Sequence, residues 1–192
     1  LATLAEDGEQ DYSGFLSGPL IDDTLSFMAS ARWFEMDGQY QNIGTGGGSA
    51  GGVSSSSLNL SLLWTPSEAV DVIFRVAYSE DDDDHIPFRL QTSDLNNCFP
   101  NSQRGYFCGE VEEFRDVALN LDVLPAAGLE RETLRSNLMA NFDLGFATLT
   151  SVTSYTEEDT TTSRDNDFLD TTQNPLIFLP FISVEAFRTF DS

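Results

Sequence analysis

Residues 58–78 of the chain read LNLSLLWTPSEAVDVIFRVAY, two apolar runs joined by a turn sequence at residues 65–68. In each run apolar residues recur at every second position, and polar residues such as Asn59 and Arg75 stand between them. Because successive side chains of a β-strand point to opposite faces, this period of two predicts two strands with one apolar face each. Proline and serine favour a tight turn between them. The segment therefore predicts a β-hairpin.

The same period continues along the chain and predicts seven strands. They cover approximately residues 12–19, 24–36, 55–64, 69–79, 131–142, 146–156 and 183–190. The clearest of them have about 9–12 residues, which exceeds the usual strand length of about 5–6 and matches the roughly 9–11 needed for a tilted bilayer crossing. This length favours membrane-crossing strands over the strands of a soluble protein.

Short and long connections alternate between the predicted strands. Short ones lie at residues 20–23, 65–68 and 143–145, and long ones at about residues 37–53, 80–130 and 157–182. In an up-and-down meander this order places every short turn at one end and every long loop at the other, as in outer-membrane barrels. A β-sandwich gives no reason for such sorting. The sequence therefore predicts an all-β fold, an antiparallel up-and-down transmembrane β-barrel with short periplasmic turns and long extracellular loops.

Seven strands are fewer than the roughly eight of the smallest closed barrels, so we expect residues 1–192 to form part of one larger barrel domain. The apolar faces should meet lipid and the polar faces an aqueous interior.

Trp33 and Tyr78 fall towards the long loops and Trp64 beside a short turn. Aromatic side chains of this kind mark the two membrane interfaces. The alternative is that they pack in the core of a soluble sandwich.

Composition excludes several classes of protein. The chain has 32 acidic residues, nine basic residues and a formal charge of −23, so it cannot neutralise a nucleic acid. A hydrophobic content of 40% is too high for a disordered tail. No run of about 18 apolar residues occurs, which excludes a transmembrane helix. The chain begins at Leu1 without an initiating Met or a leader, so we expect a mature chain or a part of a longer one.

The two cysteines, Cys98 and Cys108, lie in a polar, turn-rich stretch. Such a pair is typical of exported proteins and predicts a disulfide, with free thiols or metal binding as the alternatives. A bridge of this length stabilises a loop by about 2–3 kcal/mol through chain entropy.

Downstream, apolar residues recur at helical spacing and predict a short helix in the loop. They are Val111, Phe114, Val117, Ala118 and Leu121.

Asp81, Asp82, Asp83, Asp84 and His85 follow one another at the predicted start of the longest loop. Carboxylate oxygens are ligands for Ca²⁺, but the run lacks the spaced ligands and the turn glycine of known calcium loops. A solvated acidic loop tip is therefore the favoured interpretation. Because the chain has only one His, neither a zinc triad nor a Ser-His-Asp arrangement is supported. We predict no catalytic residue, no metal site and no cofactor.

Two further loop segments carry candidate features. Residues 176–182 are apolar and interrupted by Pro180, so they are expected to fold over the barrel mouth or to begin the next strand. Phe178 and Phe181 from this segment, together with the acidic run 81–85, are the candidate ligand-contacting residues. Residues 44–52 are rich in Gly but lack the Lys-Ser/Thr that follows a phosphate-binding loop, so a flexible loop is predicted there.

Several phrases of the sequence resemble a known family. SGPLIDDTL at residues 17–25, DGQYQN at 37–42, the strand and turn of 57–69, VAYSEDDD at 76–83 and LTSVTSY at 149–155 resemble the barrel domain of TonB-dependent outer-membrane receptors. The resemblance implies a 22-stranded barrel around an N-terminal plug, with a short box that engages an inner-membrane energy transducer. Neither plug nor box is recognisable here, so the resemblance implies an early segment of such a barrel.

By the same resemblance, the expected function is TonB-energised uptake of a scarce nutrient, such as a ferric chelate, a corrinoid or an oligosaccharide. The expected partners are outer-membrane lipid and lipopolysaccharide, the cargo, and a TonB-type transducer that contacts another part of the receptor. The expected location is the outer membrane of a Gram-negative bacterium. A passive porin-like channel, or a secreted acidic β-sandwich that binds glycan or calcium, are the alternatives.

Overall fold

A computed structural model of the chain describes residues 2–5, 8–88, 96–109, 118–122, 127–173 and 182–191. The described residues form twelve strands and one 3₁₀ turn, Thr171–Gln173. The strands are β1 (Ala2–Leu4), β2 (Gln10–Ile21), β3 (Leu25–Met36), β4 (Tyr40–Gln41), β5 (Ser49–Ala50), β6 (Val53–Ser67), β7 (Val70–Asp84), β8 (Cys98–Asn101), β9 (Arg104–Tyr106), β10 (Gly128–Asp143), β11 (Thr148–Asp165) and β12 (Ile182–Asp191).

Eight of these strands form one antiparallel sheet in the order β1-β2-β3-β6-β7-β10-β11-β12. Each strand pairs with the one before it along the chain, apart from two small hairpins, β4–β5 and β8–β9, which lie within long connections. The predicted all-β, antiparallel up-and-down arrangement is therefore confirmed. In the described part of the chain the sheet is open, with β1 and β12 as its edges.

Three strands extend well into the predicted long loops. β7 continues to Asp84, β10 begins at Gly128, and β11 continues to Asp165. The predicted loops 80–130 and 157–182 are therefore wrong at these ends. Apart from Leu129, these residues are polar or Gly on both faces, so their sequence shows no apolar period, but backbone pairing continues through them. Asp84 pairs with Gly128, for example.

Some predictions fall on residues that the structure does not describe. The predicted loop helix lies largely on residues 110–117, and Phe178 and Phe181 lie in 174–181; all are outside the described residues. The described end of that predicted helix is not helical. Leu119 instead forms a parallel β-bridge with Asn42.

The register gives the sheet two continuous faces. Residues directly opposite one another on neighbouring strands share a face, and we call such a row a rung. Leu60 on β6 lies opposite Ala29 and Val76, and this row belongs to the apolar face. Ser61 lies opposite Met28 and Arg75 and belongs to the polar face.

The connections after β2, β6 and β10 are short and lie at one end of the sheet, and the long connections after β3, β7 and β11 lie at the other end, together with the five-residue connection between β1 and β2. At the turn end, residues 22–24, 68–69 and 144–147 join neighbouring strands, and Gly145 takes a φ of 79°, which favours glycine. At the other end, called the rim, the connections after β3, β7 and β11 are long. The buried apolar residues of the described chain lie in these rim connections, two of them on the small strands β4 and β5. This rim core consists of Tyr40, Ala50, Leu119, Leu121 and Ala127, with Phe168 packed against it.

The large sheet itself has no covering layer in the described residues. Leu58, Phe74 and Leu138 on its apolar face are 57%, 37% and 45% exposed. The accessible surface of the chain is 13,239 Å², whereas a compact monomer of 21.2 kDa exposes about 9,100 Å². Much apolar surface of the sheet therefore has no partner among the described residues. Among the described residues, no helix has the length and apolar character needed to cross a membrane.

Candidate functional site

The apolar face carries a band of side chains that crosses six strands. Its central rung contains Leu16, Ala29, Leu60, Val76, Ser136 and Tyr155, and the next rung towards the turn end contains Gly18, Phe27, Leu62, Phe74, Leu138 and Thr153. Along β7 the apolar positions run from Val70 to Tyr78, which spans about 26 Å at about 3.3 Å per residue. In outer-membrane barrels, whose strands are tilted by about 35–45°, a stretch of this length covers about 19–22 Å of a lipid-facing band that is roughly 25 Å tall.

The rim side of the band is bordered by aromatic residues that follow a slanted line. Tyr12 and Trp33 lie opposite each other with their ring centroids 5.6 Å apart. Two strands further on, Tyr78 lies one rung closer to the turn end, and after two more strands Tyr155 lies one rung closer again. The border thus shifts by about one residue for each strand.

The slope of this border follows from the sheet geometry. Trp33 on β3 and Tyr155 on β11 are separated by four steps from one strand to the next. The residue of β11 that lies in the same rung as Trp33 is Asp159. Tyr155 lies four residues before Asp159, towards the turn end. With about 3.3 Å per residue and about 4.8 Å per step, the border is inclined by about 35° to the rungs. At the turn end Trp64 lies opposite Leu25 and Val72.

Acidic rungs lie directly above the band on the same face. Glu80, Glu132 and Asp159 stand opposite one another on three neighbouring strands, and Asp82 stands opposite Glu130 in the next rung. Like charges in such positions repel. The only described cation in the first of these rungs is Arg188, which contacts Asp159 at 3.1 Å and Glu157 at 2.5 Å.

The acidic run 81–84 is part of β7, so its predicted placement in a solvated loop tip is wrong. Because the residues are in a strand, they alternate between the faces: Asp82 and Asp84 share the apolar face, and Asp81 and Asp83 the polar face. Asp81 accepts hydrogen bonds from Arg131 Nη2 at 2.7 Å and Nε at 2.9 Å. The run is therefore divided between two surfaces and does not form one cluster.

The polar face carries charged and amide side chains that pair across strands. Arg32 donates two hydrogen bonds to Asp11, at 2.9 and 3.0 Å. Asn141 donates to Asp71 at 2.8 Å and accepts from Thr150 at 2.8 Å. This face is not uniformly polar, however. One rung near the turn end contains Leu63, Ile73, Met139 and Val152, with Ser26 opposite Leu63.

His85 is only 2% exposed and lies directly after β7, so its predicted place at a solvated tip is also wrong. Its Nε2 accepts a hydrogen bond of 3.0 Å from the backbone N–H of Asp165. A ring nitrogen that accepts a hydrogen bond carries no proton, so the imidazole is neutral in this arrangement. The buried Nδ1 atom has no hydrogen-bond partner. His85 thus joins the connection after β7 to the end of β11.

Asn42 links two of the rim connections. Its amide nitrogen donates to the carbonyl oxygens of Gly47 and Leu121, both at 3.0 Å. Its amide oxygen accepts from the backbone N–H groups of Gly44 at 3.1 Å and Leu121 at 2.9 Å. One buried side chain therefore satisfies four backbone groups, two of them 79 residues away along the chain.

Two aspartates near the rim core have shifted pKa values. Burial raises the pKa of Asp170, but hydrogen bonds from Thr172, Thr45 and Gln173 outweigh this effect and lower it to about 2. Burial raises the pKa of Asp165, which is 1% exposed, and backbone hydrogen bonds from Phe168 and Asp167 only partly oppose this. Asp170 therefore stays ionised, and its oxygens hold the connections after β3 and β11 together.

The predicted disulfide between Cys98 and Cys108 is confirmed, with the two Cα atoms 5.8 Å apart. It closes the β8–β9 hairpin, in which Cys98 lies opposite Tyr106. Phe99 and Tyr106 are exposed. The hairpin is therefore cross-linked by a disulfide and presents aromatic side chains to solvent.

Within the described ranges, no group of three or more His, Cys, Asp or Glu side chains is arranged to hold a metal ion. Sequence reasoning missed Asn42, Asp165 and Asp170, because isolated polar residues carry no periodic signal. The sequence feature that could have indicated the role of Asn42 is its position before a Gly-rich segment, because Asn side chains in turns often bind nearby backbone groups.

No protein-family model matches the chain, and no curated protein or solved structure matches it either.

Proposed function

We propose that the chain is part of the wall of an outer-membrane β-barrel of the kind that TonB-dependent receptors have, and that it takes part in nutrient uptake. The single observation that carries this proposal is the slanted apolar band. A membrane plane that crosses strands tilted by about 35–45° meets each successive strand at a shifted residue. The border from Trp33 through Tyr78 to Tyr155 has an inclination of about 35° by the spacings of residues and strands.

The uncovered state of the band supports lipid as its partner. A soluble sandwich buries such a face against a second sheet, whereas Leu58, Phe74 and Leu138 face no second layer in the described chain. In lipid, every backbone polar group also needs a partner. The edges β1 and β12 would then pair with further strands, as in a barrel that is larger than this sheet.

The polar face would line the aqueous interior, and the rim would face the outside of the cell. Hydroxyl, amide and guanidinium groups such as those of Ser61, Asn137 and Arg75 solvate a passing polar molecule. The rim connections, held by Asn42 and Asp170, would make first contact with the cargo. Ferric chelates, corrinoids and oligosaccharides are the cargo classes that the family resemblance implies, with lipopolysaccharide around the rim and a TonB-type transducer supplying energy.

Quenching of tryptophan fluorescence by brominated lipids tests the location of the band. The chain is reconstituted in vesicles whose acyl chains carry bromine, and Trp33→Phe and Trp64→Phe each leave one reporter. We expect both reporters to be quenched, most strongly by bromines near the headgroups. In a Trp33→Phe/Trp64→Phe background, Ser61→Trp on the polar face is the matched control and should remain bright. A monomer that stays in detergent-free buffer and shows no quenching would contradict the proposal.

A further inference from the structure

The β8–β9 hairpin, residues 96–109, presents a flat aromatic surface. Phe99 is 62% exposed. A Cβ atom placed on Gly105 would lie 2.6 Å from Cε1 of the Phe99 ring and 3.2 Å from Cβ of Asn96. The ring therefore lies against the backbone of Gly105, and only glycine leaves room for it there. One side of the ring is supported by the hairpin, and the remainder is open to solvent.

The hairpin is held in one shape by several bonds. The disulfide joins its two ends, Asn96 Nδ2 donates to the carbonyl oxygen of Gly105 at 3.3 Å, and the Cys108 N–H donates to Asn97 Oδ1 at 2.9 Å. At the tip, the Gln103 N–H donates to Asn101 Oδ1 at 3.0 Å. A surface that is ordered before binding loses less entropy when a ligand arrives.

The chemistry of the hairpin points to an uncharged ligand. Residues 95–109 contain no Asp or Glu and one Arg, Arg104, in a chain whose net charge is −23. An anionic ligand is repelled by the protein as a whole, and a cationic ligand is drawn to the acidic rungs around Glu132 instead. The hairpin offers an aromatic face and carries amide and hydroxyl groups on neighbouring residues of the sequence. They belong to Asn96, Asn97, Asn101, Ser102 and Gln103.

We infer that Phe99 is a stacking platform for a neutral oligosaccharide. A pyranose ring has a face of C–H groups that packs on an aromatic ring, whose surface is partly negative, and hydroxyl groups around its edge that bind amides. This inference deepens the proposed function, because it selects the oligosaccharide among the three cargo classes, and it rests on that proposal for the position of the hairpin outside the cell.

The test measures binding of sugars to the whole chain in a zwitterionic detergent without a sugar headgroup. Maltohexaose, xylohexaose and chitohexaose are the neutral probes, and hexagalacturonate is the anionic comparator. Saturation-transfer NMR detects contact, and calorimetry gives the dissociation constants. We expect at least one neutral probe to bind, and Phe99→Ala to weaken that binding about ten-fold or more.

Two variants separate stacking from a general loss of the hairpin. Gly105→Ala keeps the Phe99 ring but displaces it from the backbone, so it should also weaken binding. Tyr106 lies opposite Cys98 and is also exposed. Because it is one position from Gly105, its side chain lies on the face of the hairpin opposite to the Phe99 ring. Tyr106→Ala is thus the matched control and should change the dissociation constant by less than about two-fold. Mass spectrometry of each variant verifies the disulfide.

Three outcomes would overturn the inference. They are the absence of binding by all neutral probes, equal losses in Phe99→Ala and Tyr106→Ala, and preference for the anionic comparator. Capture of a protein by the hairpin without any bound sugar also counts against it. The lipid-quenching experiment is read independently, so the barrel proposal survives any of these results.

Discussion

The sheet and the rim core bury their side chains in opposite ways. On the apolar face of the sheet, Leu58 and Leu138 remain about half exposed, whereas Leu119 and Leu121 of the rim core are almost completely buried. The sheet has long, regular strands and no covering layer in the described residues, and the rim core is built from irregular connections that cover one another.

The two regions therefore differ in the surface that they present to their surroundings. In the rim core, apolar side chains pack against one another and Asn42 binds the nearby backbone groups. A region of this kind is stable in water. An apolar face without a covering layer is suited to lipid or to another apolar surface. Substitutions that act on only one of the two regions test this difference.

The largest effect is expected for a charge in the middle of the band. Leu60→Arg places a guanidinium between Ala29 and Val76. If this face meets lipid, the free energy of unfolding from vesicles should fall by about 2–4 kcal/mol. Denaturant titration of the reconstituted chain measures it. Ser61→Arg, the next residue on the polar face, is the control and should cost far less; equal losses would mean that both faces meet the same medium.

A smaller loss is expected in the rim core. Asn42→Ala removes four hydrogen bonds and leaves buried backbone groups of Leu121 without partners. Buried groups of this kind cost about 1–3 kcal/mol when they are left unsatisfied, and we expect a loss of about 2–3 kcal/mol in aqueous detergent solution. The neighbouring exposed residue Gln41 supplies the control, Gln41→Ala. A neutral result for Asn42→Ala would show that the rim core is not a stable unit.

Acid should weaken the rim core through Asp170. Its pKa in the folded protein is about 2, below the ordinary 3.8, so its contribution is complete above the ordinary value and is lost as the pH falls towards 2. Asp170→Asn should lower stability near neutral pH by about 1–2 kcal/mol and flatten this acid dependence. Unfolding curves recorded from about pH 5 down to about pH 2 measure both effects. Asp22→Asn in a short turn is the control; an unchanged acid dependence in Asp170→Asn would contradict the assignment.

The smallest expected effect is a gain. Glu132→Gln removes one charge from between Glu80 and Asp159. Relief of repulsion across strands should stabilise the sheet by about 0.2–1 kcal/mol at low salt, and added salt should reduce the gain. Glu35→Gln is the control, because Glu35 lies opposite the uncharged Gln10 and Ser54. A gain that is the same at high salt would exclude an electrostatic origin.

The sequence predicts the central strands well because one side of each is apolar. The alternation from Val70 to Tyr78 has no other simple explanation, and β7 contains it. The end of β11 is different. Residues 157–165 read EEDTTTSRD, polar at every position, so no period separates a strand from a loop. The three Thr residues favour a strand, but pairing with β10 and β12 decides it.

The rim core could not be derived in the same way. Its contacts join residues that are far apart, such as Thr45 and Asp170, which are 125 residues apart. Each of these polar residues looks like an ordinary loop residue until the register brings the three long connections to the same end. The disulfide was predictable, because two cysteines allow only one pairing.

The four links between the rim connections have a consequence for motion. Asn42 joins Leu121, Thr45 joins Asp170, Asp122 accepts a hydrogen bond of 3.0 Å from the Thr171 N–H, and His85 joins Asp165. In the described residues, no one of these connections can move outward without breaking its bonds to both of the others. Amide protons from all three should therefore exchange with deuterium at one shared opening free energy, as a single cooperative unit. Opening of the rim core would then be an all-or-none event.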